Sequence, residues 1–92
     1  MERADVSTRL RAVVVDDEPL AREALRLLIG RDHDFEVAGE CSGVDAPELI
    51  GRTKPDVLFL DIQMPELDGF GVIDAIGVDT VPVIIFVTAY DA

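Results

Sequence analysis

Asp16, Asp17 and Asp61 are the residues of this 92-residue sequence best placed to do chemistry, because each closes an apolar run rich in β-branched side chains. Asp16-Asp17 follows Ala12–Val15, Asp61 follows Val57–Leu60, and Thr88 follows Val83–Val87. Apolar runs without polar alternation suit strands buried on both faces of a parallel sheet. Ligands bind beyond the carboxyl ends of such strands, where the strand order reverses. If the first and third strands are neighbours, three carboxylates converge in one shallow pocket, and their repulsion raises pKa values or calls for a cation. Oxygen donors without a nearby His or Cys favour Mg²⁺ over zinc. Taken singly, each carboxylate also reads as a helix cap or turn former, most readily Asp17, just ahead of the first helix.

The elements that must position these groups follow from periodicity. Phe35–Ala38 forms a weaker strand, interrupted by Glu36 and suited to a sheet edge. Glu18–Ile29 places Leu20, Ala24, Leu27 and Leu28 at helical spacing, with Arg22, Glu23 and Arg26 largely on the other side. Pro19 is tolerated in the first helical turn, and Gly30 is a natural stop. A second helix is expected over Ala46–Thr53, with Asp45 as cap, Glu48 completing a capping box and Lys54-Pro55 ending it. A third, weak helix follows Gly69 through Val72, Ile73 and Ile76 to Gly77. Strand and helix thus alternate three times before a fourth strand, which is the signature of an α/β parallel sheet with helices on both faces.

Composition bounds the function class. Hydrophobic residues at 49% and charged residues at 29% describe a folded globular chain and exclude a disordered tail. A net charge of −11 makes direct contact with nucleic acid or anionic lipid unfavourable and suits a cation. Most of the 19 acidic residues are read as solubilising surface. Cys41, the single cysteine, excludes an internal disulfide, fits a reducing cytoplasm and reads as a half-buried filler. MERADVSTRLR has no apolar signal-peptide region, and no stretch approaches the roughly 20 apolar residues of a membrane span, so neither export nor membrane insertion is expected. His33, between Asp32 and Asp34, reads as a solvated loop residue, and Tyr90, two residues beyond Thr88, reads equally well as a reporter on that residue or as a surface loop aromatic.

Three segments carry a resemblance. VVVDDEP at 13–19, FLDIQMPELDG at 59–69 and IIFVTAY at 84–90 resemble, in order and spacing, the three signatures of bacterial response-regulator receiver domains. LDIQMPELDGF and FVTAYDA are most similar to regulators whose receiver precedes a LytTR-type DNA-binding domain. The resemblance implies a flavodoxin-like (CheY-like) fold and a phosphoryl group accepted on Asp61 from a sensor histidine kinase. It implies Mg²⁺ held by Asp17, Asp61 and the backbone carbonyl of Gln63, Asp16 acting through water, and Thr88 sensing the phosphoryl group. Enzymatic activity would extend at most to self-catalysed phosphotransfer and autodephosphorylation. Pro65 and Gly69 then shape the loop after Asp61, and Met64 packs in the core.

The sequence departs from the family after TAY. Receivers normally continue through a fourth helix, a fifth strand ending in a phosphate-binding Lys, and a fifth helix, and no Lys or Arg follows Thr88 here. The expectation is the N-terminal portion of a receiver over residues 1–92, incomplete at its C-terminus, with residues 1–10 as a flexible lead-in. The free edge of Val83–Val87 and partly uncovered Leu20, Leu25, Leu27 and Leu28 would favour a homodimer. The alternative is a non-phosphorylatable dimerisation fragment. A phosphohydrolase of another α/β family fits less well, because Gln63 stands where such enzymes usually carry a second Asp.

Overall fold

The computed structural model describes residues 9–62, 69–77 and 80–87, and for Gly69 and Phe70 the backbone alone. Strand and helix alternate as β1 (Leu10–Val15), α1 (Pro19–Gly30), β2 (Phe35–Cys41), α2 (Ala46–Thr53), β3 (Val57–Asp61), α3 (Gly69–Ile76) and β4 (Val83–Val87). The four strands form one parallel sheet in the order β2-β1-β3-β4. The chain steps from β1 outward to β2, then crosses back to place β3 on the other side of β1. The strand order therefore reverses between β1 and β3, and their carboxyl ends flank the crevice where parallel sheets bind ligands.

Each face of the sheet carries its own core. Val13, Val15, Leu58 and Leu60 point towards Ala46, Leu49 and Ile50 of α2 and Val72 of α3. Ala12 and Val14 point the other way, against Ile29 of α1, with Leu25, Phe35, Val37 and Phe59 packed around them. The rings of Phe35 and Phe59 meet edge to face at 6.3 Å, an arrangement their quadrupoles favour. Ala12 through Val15 are wholly buried. At about 1.5–3 kcal/mol for each large aliphatic side chain removed from water, β1 is the best-anchored strand.

Two turns depend on the left-handed region. Lys54 closes α2 at φ 49°, its N–H donating to the Ile50 carbonyl at 2.8 Å. Gly77 closes α3 at φ 87°, its N–H donating to Ile73 at 2.7 Å. Against β1, β2 slips by one residue: Val37 pairs with Ala12 but Gly39 pairs with Val13, leaving Ala38 as an extra residue.

Several expectations are corrected. β2 extends three residues further than expected, to Cys41, because β1 offers ladder partners along its whole length. Asp45 is not a side-chain cap. A 3₁₀ turn over Gly43–Asp45 leads into α2, so Asp45 already has helical backbone angles and its N–H donates to Ser42. On α1, Leu20, Leu27 and Leu28 are exposed, and Leu25 and Ile29 pack on the sheet. Arg22 shares that inner side instead of facing solvent, because acceptors await it there. β4 is not buried on both faces: Ile84 packs on the α2–α3 core, but Val83, Ile85 and Phe86 are exposed. Ile85 pairs with Phe59 and so shares the α1 side of the sheet, and α1 packs instead over β1 and β2. Of the expected lead-in, Arg9 and Leu10 are described and Leu10 already belongs to β1. Residues 1–8, and with them the rest of the lead-in, lie outside the described residues, as do Gln63, Met64, Pro65, Thr88 and Tyr90.

Candidate functional site

β1 and β3 deliver their acidic residues to the same place. Val15 pairs with Leu60, so the residues that follow, Asp16 and Asp61, leave the sheet side by side. Asp16 is only 7% exposed. Its N–H donates to the Cys41 carbonyl at 3.0 Å, and its Oδ1 accepts the Glu18 N–H at 2.9 Å, an Asx-type turn that launches the loop into α1. Burial drives the Asp16 carboxyl above its usual range. The Glu18 N–H opposes that rise, while the charge of Asp61, a side-chain hydrogen bond with it and the charge of Asp17 add to it. The two carboxyls are thus within hydrogen-bond reach, and both cannot be comfortably ionised without help.

Asp17 has a different partner. Its Oδ1 accepts the Gly43 N–H at 2.9 Å, across 26 residues of sequence, and so fastens the β1–α1 loop to the turn ahead of α2. Among the described residues no three His, Cys, Asp or Glu side chains are gathered as a ligand cage. The structure therefore brings Asp16 and Asp61 together, while the expected gathering of three carboxylates is not seen among the described residues. At the far side of β3, Asp61 pairs with Val87 and the Ile62 N–H donates to Val87 at 3.4 Å. The end of β4 accordingly reaches the same crevice, one residue before Thr88.

This donor set fits Mg²⁺. The cation keeps several waters and is usually held by one or two carboxylates plus phosphate oxygens, without an all-protein cage. A carboxyl pair whose buried member is pushed towards its neutral form is the kind of conflict such an ion removes.

Two residues that periodicity passed over complete the surroundings. Arg22 donates through Nη1 to the Asp16 carbonyl at 2.7 Å, and its Nε lies 3.4 Å from Glu40. The other oxygen of Glu40 meets Arg26 Nε at 2.9 Å. Spacing on α1 alone assigned both arginines to solvent; only the placement of Glu40 on β2 reveals the pairing. Cys41, half-buried beside this network, has its thiol pushed up to about 11, mainly by burial and next by the charge of Asp45, with Arg22 pulling the other way. It is a packing residue and a poor nucleophile.

Comparison with known proteins agrees with this fold. Residues 12–92 match the family model for the response regulator receiver domain. The chain is 45% identical over 83 residues to the transcriptional regulatory protein BtsR of Salmonella typhi, covering 89% of this chain and 35% of that protein. It thus spans about a third of the length of the curated relatives it matches. The signal receiver domain of NarL from Mycobacterium tuberculosis superposes with a TM-score of 0.78 at 36% identity, covering 91% of this chain and 69% of that one. A DNA-binding response regulator of the LuxR family from Staphylococcus aureus gives 0.76 at 30% identity, over 90% of this chain and 71% of that one.

Proposed function

The chain belongs to the response regulator receiver domain family, and from that premise we propose that it accepts a phosphoryl group on Asp61 from a sensor histidine kinase. The observation that carries this reading is the meeting of Asp16 and Asp61 at the carboxyl ends of adjacent strands, where Asp16 is buried against a second carboxyl. Asp61 and Asp17 would hold Mg²⁺ with the Gln63 carbonyl, and Asp16 would act through a bound water. When bound, the ion supplies positive charge against the phosphoryl oxygens.

In the transfer step an oxygen of Asp61 bonds to phosphorus as the phosphorus–nitrogen bond of a phosphohistidine donor breaks. The imidazole nitrogen leaves with the bonding pair and takes up a proton, and Asp61 becomes an acyl phosphate. Positioning provides most of the catalysis, because the strand-end carboxylate has only to be held in line. Thr88, directly after the strand that pairs with Asp61, would report the phosphoryl group to an output domain. We assign that output to DNA binding, of LytTR type, and the chain to the cytoplasm. The net charge of −11 argues that any DNA contact lies outside this segment.

A second reading, a self-associating module that does not undergo phosphotransfer, is favoured by one observation. Leu20, Leu27 and Leu28 on α1 and Val83, Ile85 and Phe86 on β4 are all exposed, and apolar patches of this kind drive homodimer formation. One experiment separates the two. Incubation with a small acyl-phosphate donor and Mg²⁺, followed by borohydride trapping and mass spectrometry, should label Asp61. The label should vanish in Asp61→Asn and in chelator. A chain that stays unlabelled while it dimerises on sedimentation would support the second reading.

A further inference from the structure

We propose that Arg22 is a positioning residue of the acidic crevice, holding the Asp16–Asp17 peptide so that both carboxylates point where a cation can use them. This rests on the cation reading of the crevice given above. Asp16 and Asp17 are tied to three other parts of the chain, through the carbonyl of the peptide between them and through one group on either side of it. The Asp16 N–H is tied to Cys41 at 3.0 Å, the Asp16 carbonyl to Arg22 at 2.7 Å, and Asp17 Oδ1 to the Gly43 N–H at 2.9 Å. The first belongs to the sheet ladder and the third to the loop ahead of α2. Arg22 ties the Asp16 carbonyl to the body of α1, while Asp16 Oδ1 accepts the Glu18 N–H at the helix entry. Without it, the plane between Asp16 and Asp17 can rotate about its neighbouring bonds, and both carboxylates swing with it.

Arg22 is itself braced. It sits one turn into α1, its N–H donating to the Glu18 carbonyl at 3.0 Å, and its side chain is 21% exposed. Glu40 takes Arg22 Nε on one oxygen and Arg26 Nε on the other. A guanidinium can do this because its planar fork presents separate N–H groups to a carbonyl and a carboxylate at once. A lysine ammonium offers a single point of charge. Glu40 also offsets the charge of Arg22, so that the guanidinium can stand beside an acidic crevice without simply competing for it.

The proposal has a sign that a purely electrostatic role lacks. If Arg22 mattered only as a charge, its removal would strengthen cation binding by deleting a nearby positive group. If it positions the peptide, its removal weakens binding. Partners that orient metal ligands typically account for 10–100-fold in affinity, so Arg22→Met should weaken Mg²⁺ binding by about tenfold or more, Arg22→Lys should recover part of the loss, and Arg26→Met should stay within about threefold of the parent.

The test is calorimetric titration of MgCl₂ into the chain and the three variants, with amide hydrogen exchange measured on each without metal. Supporting results are the predicted order of affinities together with faster exchange at Asp16 and Asp17 in Arg22→Met, while Val57–Leu60 stays protected. Unchanged or tighter Mg²⁺ binding by folded Arg22→Met overturns the proposal. If the methionine variant does not fold, Arg22→Lys decides, and parent-like affinity there overturns it too. Absence of Mg²⁺ binding by the parent chain sinks the cation reading itself. In that case unaltered exchange at Asp16 and Asp17 in the variants would show that Arg22 does not fix the peptide either.

Discussion

Asp16→Asn should stabilise the metal-free protein and blunt its response to Mg²⁺. The carboxyl is 7% exposed and sits against Asp61, so ionising it costs desolvation and repulsion together. Because its folded-state pKa lies above the usual 3.8, the folded protein holds this proton more tightly than the unfolded chain. Stability therefore falls as pH rises from the unfolded value through the folded one, and the penalty is fully present at higher pH. Asparagine keeps Oδ1 for the Glu18 N–H and presents Nδ2 as a donor to Asp61, turning two facing acceptors into a complementary pair.

Two unit charges about 4 Å apart repel by about 1 kcal/mol even under water-like screening, and that sets a conservative scale for the gain. In a domain of this length 1 kcal/mol moves the melting temperature by about 4–8 °C. At about ten times its dissociation constant, Mg²⁺ should stabilise the parent by about 1.4 kcal/mol, and a variant binding tenfold more weakly by only about 0.4 kcal/mol. The variant's advantage in chelator should therefore shrink almost to nothing in magnesium. Scanning calorimetry at neutral pH, in chelator and in millimolar MgCl₂, makes the comparison. A variant that melts cooperatively below the parent in chelator would refute the conflict between the carboxyls. An equal magnesium shift in both would remove Asp16 from the cation's surroundings.

Two further outcomes are expected. Leu60→Ala, at a wholly buried site on the strand carrying Asp61, should lose about 2–5 kcal/mol in urea denaturation, whereas Leu28→Ala, 60% exposed on α1, should stay within about 0.5 kcal/mol of the parent; comparable losses would mean that α1 packs on the wrong side. Cys41 should resist iodoacetamide at neutral pH and titrate near 11 instead of 9.0. Since the folded state keeps the thiol proton longer, stability should decline as pH rises across that interval, a slope that Cys41→Ser removes; a midpoint at or below 9.0 would contradict the burial of the thiol.

The parts of this fold that could be read from sequence are those governed by local pattern. Ala12–Val15 and Val57–Leu60 announced the two central strands because both of their faces are buried, and uninterrupted apolar character is the direct result. Lys54-Pro55 and Gly77 marked helix ends through backbone preference alone. The meeting of Asp16 with Asp61 followed once the first and third strands were neighbours, as they are. What escaped depends on which element lies across the way. Arg22 carries no local sign that Glu40 and the Asp16 carbonyl will receive it, so helical spacing sent it to solvent. Val83–Val87 has the composition of a central strand, yet its exposure is set by which helices cover that part of the sheet. Asp45 and Glu48 spell a capping box, but Asp45 is itself the last residue of a 3₁₀ turn and makes no side-chain cap.

The extra residue at Ala38 gives β2 a change of phase. Ahead of it Phe35 and Val37 face α1; beyond it Gly39 and Cys41 share the side of Val13 and Val15, close enough to α2 that a Cβ on Gly39 would lie 3.2 Å from Leu49. The same half-step turns Glu40 towards α1, where Arg22 and Arg26 receive it. Pairing Ala38 with Val13 would slide Glu40 opposite Val15, into the apolar core, and turn Cys41 towards the two arginines, whereas deleting Ala38 would leave Gly39, Glu40 and Cys41 opposite Val13, Val14 and Val15. Loss of this one extra residue should therefore be tolerated, since Glu40 keeps its place opposite Val14 and with it the parity on which the arginine network depends.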